Sequence, residues 1–118
     1  MLARYIVSKS QFSAENRRVK HNAFMPPAGL HLSVFVISGL AEAIVWEIGA
    51  ANVAGPQGKT LYARADVQVE TVRMAKLRVE VDNNPVRHAN IAGWPDEKSA
   101  QMLKATILAE AAALQLHP

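Results

Sequence analysis

Residues 30–38 read LHLSVFVIS, and this stretch decides the fold. Its centre, Val34 to Ile37, is apolar at four successive positions, so an extended chain would be apolar on both faces there. The β-branched and aromatic residues in it favour a strand. A strand that is apolar on both faces is typical of a sheet interior with packed layers on both sides. The stretch therefore predicts a central strand over Leu30 to Ser38.

The residues after this strand predict a helix that begins at the Ser38-Gly39 turn. Apolar residues then recur at the spacing of one helical face. They are Leu40, Ile44, Val45 and Ile48. Gly49 is suited to cap the helix at its C-terminal end, because glycine adopts the left-handed conformation such caps need. Asn52 to Lys59 contains Gly-Pro-Gln-Gly and predicts a loop.

Three further stretches have the residues and the alternation of strands: Arg4 to Ser8, Leu61 to Val69, and Leu77 to Val81. Glu70 to Lys76 fits either a helical turn or a continued strand. A final helix is expected after Asp96, whose carboxylate would cap it, and it should extend to about Leu116. Its buried stripe would be Leu103, Ile107, Ala111 and Leu114.

Together these elements predict one α+β domain over residues 1–118. We expect a mixed or antiparallel sheet of four to five strands with two main helices packed on it. Half of the residues are apolar, 19 % are charged and the net charge is +3, which is ordinary for a globular protein. The chain has no cysteine, which excludes disulfides, thiolate zinc sites and thiol nucleophiles. We expect a cytoplasmic protein with no cofactor, no metal site and no membrane partner.

Two tetrads in the sequence share a pattern of histidine, any residue, a small hydrogen-bonding residue and an aliphatic residue. They are His31-Leu32-Ser33-Val34 and His88-Ala89-Asn90-Ile91. In a strand, the histidine and the residue two places later share one face. Two such pairs that face each other could hold a phosphate and exchange protons with it, because imidazole can both accept and donate a proton near neutral pH.

This arrangement resembles the signature of the 2H phosphoesterases, the RNA ligase and cyclic phosphodiesterase group. The resemblance implies that His31 with Ser33, and His88 with Asn90, form two half-sites. The histidines would act as acid and base on a cyclic phosphate at RNA ends or in cyclic nucleotides. The alternative is structural: His31 would end a strand, and His88 would lie in a loop with backbone hydrogen-bond partners.

Two surface segments are further candidates. A basic loop could bind an anionic partner such as RNA, DNA or a nucleotide, or it could be a solvated surface. Its residues are Arg17, Arg18, Lys20 and His21. The segment Pro85 to Asp96 is expected to be a loop; it holds Arg87, a further candidate for anion binding, and Trp94. In the alternative, Trp94 docks in the core.

Three functions remain open on these residues. The first is a small binding or accessory module that acts through a protein or an anionic partner, by way of the basic loop and the Arg87–Trp94 segment. The second is a minimal phosphoesterase that uses His31 and His88. The third is a structural subunit of a larger assembly. The sequence does not indicate an oligomeric state.

Overall fold

The computed structural model describes all residues 1–118, and its main element is a six-stranded antiparallel sheet. The strands are β1 (Leu2–Ile6), β2 (Phe12–Ser13), β3 (Arg18–Val19), β4 (Leu32–Val36), β5 (Ala63–Val67), β6 (Arg78–Val81), β7 (His88–Ala92) and β8 (Ala113–Leu116). The order in the sheet is β6-β7-β4-β1-β5-β8, and β2 pairs separately with β3. The helices are α1 (Glu42–Gly49), α2 (Gly55–Gln57), α3 (Val69–Met74) and α4 (Lys98–Ala111).

The predicted α+β class is confirmed, but the sheet has six strands where four to five were expected. β7 lies within the segment predicted to be a loop, and β8 lies within the predicted last turns of the final helix. Both strands are rich in alanine or polar residues and have weak intrinsic strand preference. They form strands because they pair with β4, β5 and β6.

Each face of the sheet has its own apolar layer. On one face Leu32 and Val34 of β4 pack in a large cluster that includes Leu108 of α4 and Val72 of α3. On the other face Phe35 joins a smaller cluster under α1, which contains Tyr5 and Trp46. β4 is thus an interior strand with apolar residues on both faces, as its sequence predicts.

The helix after β4 is longer than its sequence indicates. A π-helical segment, Ala50–Ala54, joins α1 to α2, so the predicted loop from Asn52 is mostly helical. Gly58, with a φ of 61°, is the left-handed C-terminal cap, and the cap assignment to Gly49 is wrong. Gly49 is instead buried where α1 crosses the sheet. A glycine is needed there because the ring of Tyr5 occupies the space that a side chain would need.

The final helix departs from its predicted stripe. Leu103 is 71 % exposed and Ile107 is 46 % exposed, while Leu114 is buried as part of β8. The helix buries a different face, whose small residues allow the 3₁₀ turn His21–Phe24 to pack closely against it. That face consists of Gln101, Ala105, Leu108 and Ala109. α4 begins at Lys98 without a side-chain cap from Asp96. None of the helices is long and apolar enough to span a membrane.

Candidate active site

One half of a sheet face is left open by α1 and carries polar side chains. Ser33 of β4 pairs with Asn90 of β7, which pairs with Glu80 of β6. Directly paired residues in an antiparallel sheet project from the same face. This is the face on which α1 covers Phe35, but the polar row extends outward from β4 toward the edge strand β6. Glu80 remains 45 % exposed, so the row reaches solvent.

Three side chains on this face form a hydrogen-bonded chain. Ser33 Oγ lies 2.7 Å from His88 Nε2, and His88 Nδ1 lies 2.7 Å from Asp82 Oδ1. An ionised carboxylate only accepts hydrogen bonds, so Asp82 requires the proton on Nδ1. Nε2 of the neutral imidazole is then the acceptor, and the Ser33 hydroxyl donates to it. The order of a hydroxyl, an imidazole and a carboxylate is the one that a nucleophile, its base and a group that orients the base require.

The sheet fixes the His88 ring. Phe35 is the register partner of His88, and the two rings meet edge to face with centroids 5.3 Å apart. The His88 side chain is only 14 % exposed, so neighbouring groups restrict its rotation. The backbone of His88 also closes the β6–β7 connection, since its carbonyl accepts from the amides of Asp82 and Asn83. Asp82 and His88 are therefore held together by one hairpin.

The electrostatics favour a charged Asp82. The hydrogen bond from His88, followed by one from the backbone amide of Asn84, holds the pKa of the Asp82 carboxyl below its ordinary value. A carboxylate that stays ionised keeps the imidazole in the tautomer with the proton on Nδ1. It would also stabilise an imidazolium if His88 accepted a second proton.

Asn90 and His31, the remaining candidate residues of the two tetrads, lie on the same open face. Asn90 is adjacent to Ser33 across the strands, and its carboxamide makes no hydrogen bond within the chain, so its amide group is available as a donor. His31 is 60 % exposed and lies 4.0 Å from Glu80. His88 pairs with Phe35, so the two histidines are offset by four positions, which is about 13 Å along a strand. The interaction of His88 with Ser33 is direct, whereas His31 contacts neither residue by hydrogen bond.

The predicted anion-binding residues divide between two places. Arg17, Arg18, Lys20 and His21 line one cavity of about 540 Å³ beside the C-terminal half of α4. Arg87 lies elsewhere, at the end of β4, where its guanidinium is within hydrogen-bonding distance of the carbonyls of Val36 and Ser38. Trp94 is buried in the core, and its indole donates to the carbonyl of Ile91. Its ring therefore offers no surface to a partner.

Asp82 is the site residue that sequence reasoning missed. It lies in Asp82-Asn83-Asn84-Pro85, which has the composition of a turn, and the turn accounts for its presence without any further role. The available signal was its position six residues before His88, at the other end of that turn. Only the hairpin register converts this spacing into a direct contact.

No family model, curated protein or solved structure matches this chain.

Proposed function

We propose that this protein is a hydrolase in which Ser33 is the nucleophile, His88 the general base and Asp82 the group that orients His88. The observation that carries this proposal is the continuous hydrogen-bonded chain from Ser33 Oγ through both imidazole nitrogens to Asp82, with both contacts at 2.7 Å. Hydroxyl groups are weak nucleophiles until an adjacent base removes the proton. This arrangement supplies such a base in the correct tautomer.

The reaction that fits is acyl transfer from a carboxylic ester. Ser33 Oγ attacks the carbonyl carbon while its proton passes to His88 Nε2, and the imidazolium is stabilised by Asp82. The C–O bond to the leaving alcohol then breaks, and His88 returns the proton to that oxygen. A water molecule attacks the acyl-serine in the second half, again with His88 as base, and releases the carboxylic acid and free Ser33.

The negative charge that develops on the carbonyl oxygen needs a hydrogen-bond donor. The Asn90 carboxamide is the neighbouring group with an unused donor, and it stands beside Ser33 across the strands. A side-chain amide in this role contributes about 3 kcal/mol to transition-state stabilisation. The face is open, which favours an extended substrate over a small, enclosed one. A small activated ester can also reach an open face, and it serves as a probe.

Covalent labelling tests the nucleophile without knowledge of the natural substrate. A fluorophosphonate probe should phosphonylate Ser33 Oγ with release of fluoride, and mass spectrometry of tryptic peptides should locate the adduct on Ser33. Hydrolysis of p-nitrophenyl acetate should depend on the same residue. Ser33→Ala should abolish both signals, and Asp82→Asn should lower the labelling rate about 10²-fold or more, because the imidazole would lose its favoured tautomer.

Ser99→Ala is the matched control, since Ser99 is exposed and makes no side-chain hydrogen bond. It should label and hydrolyse as the wild type does. Labelling of a different serine, or equal rates for wild type and Ser33→Ala, would overturn the proposal. Far-ultraviolet circular dichroism of each variant separates loss of activity from loss of folding.

A second candidate function is phosphoester chemistry with His31 and His88 as acid and base. The observation in its favour is that His31, Ser33, His88 and Asn90 all project from one open face. His31→Ala discriminates the two reactions. It should leave fluorophosphonate labelling and ester hydrolysis unchanged if Ser33 is the nucleophile, whereas it should abolish hydrolysis of a 2′,3′-cyclic nucleotide if two histidines are required.

A further inference from the structure

The second feature that points to a ligand is the basic cavity beside α4. We define it by Arg17, Arg18, Lys20 and His21 on one wall and by Thr106 and Glu110 of α4 on the other. Its volume, about 540 Å³, falls within the range of small-molecule sites. It is separate from Ser33, because its basic wall comes from the β2–β3 hairpin and the turn that follows it.

The cations on this wall have no partner within the chain. None of the ion pairs involves Arg17, Arg18 or Lys20, and none of their side chains makes a hydrogen bond. Three positive charges that line one cavity repel one another, and the carboxylate of Glu110 balances one of them at most. The C-terminal end of α4 adds only a partial negative charge. The cavity therefore has an excess of positive charge.

The hairpin turn holds this charge in place. Arg17 has a φ of 50°, in the left-handed region that few non-glycine residues adopt. Its amide donates to the carbonyl of Ala14, and the amide of Asn16 donates to Ser13 Oγ, so the turn is closed on both sides. β3 then carries Arg18 into the same cavity, while the amide of Lys20 donates to the carbonyl of Gln11. The backbone that carries the three cations is thus held by hydrogen bonds from Arg17 and Lys20 and by the pairing of Arg18 with Ser13.

We propose that this cavity binds a small polyphosphate, either free or as the phosphate chain of a nucleotide. Guanidinium groups match phosphate oxygens with paired hydrogen bonds, and an ammonium adds a third cation. The cavity lining contains no phenylalanine, tyrosine or tryptophan on which a base could stack, His21 being its one aromatic side chain, and the cations line one side of a concavity instead of following a long strip. Both features favour a compact phosphate chain over a single-stranded nucleic acid. This site is independent of the hydrolase proposed at Ser33.

Isothermal titration tests the proposal with pyrophosphate, ATP and a short single-stranded RNA, at low and at physiological ionic strength. Pyrophosphate and ATP should bind, and the affinity should fall as salt rises. Arg17→Asn/Arg18→Ala/Lys20→Ala should weaken ATP binding by about tenfold or more, because several charge-assisted contacts are removed together. Asparagine is used at position 17 because it tolerates a positive φ.

Lys59→Ala/Arg73→Ala/Lys98→Ala is the matched control, since it removes three exposed charges outside the cavity. It should retain ATP affinity within about twofold if binding is local rather than due to net charge. Equal affinity for pyrophosphate and ATP would assign recognition to the phosphates alone, and tighter ATP binding would add a nucleoside contact. Binding of RNA without pyrophosphate or ATP, or binding of none of the three, would overturn the proposal.

Discussion

Gly49→Ala should destabilise the protein, although alanine is normally the better residue inside a helix. The intrinsic gain from replacing a helical glycine is about 0.5–1 kcal/mol. Gly49 has ordinary helical angles, with a φ of −63°, so it is not needed for an unusual backbone conformation. An added Cβ would instead lie 3.0 Å or less from three carbons of the Tyr5 ring. The side chain is excluded by the close approach of helix and strand.

The size of the loss follows from how firmly Tyr5 is held. Its ring is 3 % exposed, packs edge to face on Phe35, and its hydroxyl donates to the carbonyl of Val45. A ring held by both of these contacts cannot rotate away from an added Cβ without losing the contact with Phe35 or the hydrogen bond to Val45. Overpacking of this kind costs about 1–3 kcal/mol. After subtraction of the helix propensity gain, we expect a net loss of about 1–2 kcal/mol.

Urea unfolding followed by circular dichroism measures the effect. Gly29→Ala is the control, because a Cβ there meets nothing within 4 Å, and its stability should stay within about 0.5 kcal/mol of wild type. Tyr5→Leu removes part of the obstructing ring, so the double variant Tyr5→Leu/Gly49→Ala should be more stable than the sum of the single losses predicts. A Gly49→Ala protein as stable as wild type would refute this account of the helix–strand contact.

Three further outcomes are expected from the structure. Leu108→Ala should lower the free energy of unfolding by about 2–5 kcal/mol, because Leu108 is fully buried. Ile107→Ala should lower it by less than about 1.5 kcal/mol, because its side chain is 46 % exposed. Equal losses of stability in chemical denaturation would contradict this. The pKa of Asp82 is lower in the folded protein than in the unfolded chain, so its stabilisation is complete above the ordinary value of about 4 and is lost as the pH falls through the folded value. The stability difference between wild type and Asp82→Asn should accordingly shrink in acid, and a difference that grows would show the opposite sign. Arg64→Met should lower the free energy of unfolding by about 3 kcal/mol or more at neutral pH, because it leaves the carboxylate of Asp66 buried without its cation. Burial already raises the pKa of the Asp66 carboxyl. The loss of stability should therefore become smaller in acid, where that carboxyl becomes protonated.

The interior of the sheet could be predicted because local composition and tertiary environment agree there. In β4, the three successive apolar residues Val34 to Val36 favour a strand, and Val34 and Phe35 are buried on opposite faces of the sheet. β8 could not be predicted in the same way. Its residues, Ala113 to Leu116, continue a helical composition, and they become a strand because they pair with β5. Likewise, Pro56 lies in a helical turn that follows the π-helical segment directly, so a residue that usually signals a loop continues the helix.

The candidate site divides along the same line. Ser33 and His88 could be named as candidates from the repeated tetrads, because hydroxyl and imidazole groups can both take part in proton transfer. Their contact could not, since it depends on the register between β4 and β7, which pairs Ser33 with Asn90 and Phe35 with His88 and so places the His88 side chain diagonally across from Ser33 on the same face. Asp82 could not be recognised as a site residue from the sequence, because an aspartate at that position is equally well explained by the turn. The contacts of His88 with Ser33 and Asp82 follow from the pairing of the strands, which the composition of the sequence does not give.

The position of β1 has a consequence for how the protein is made. Leu2 pairs with Val36 on one side and with Val67 on the other, so β1 leaves the ribosome before either of its neighbours, which lie far downstream. At about 5–20 residues per second, several seconds of translation separate the emergence of β1 from that of β5. Throughout that interval an apolar strand has at least one unpaired edge, which is the form most prone to intermolecular pairing. Expression at lower temperature, or with a chaperone that shields exposed strands, should therefore raise the soluble yield.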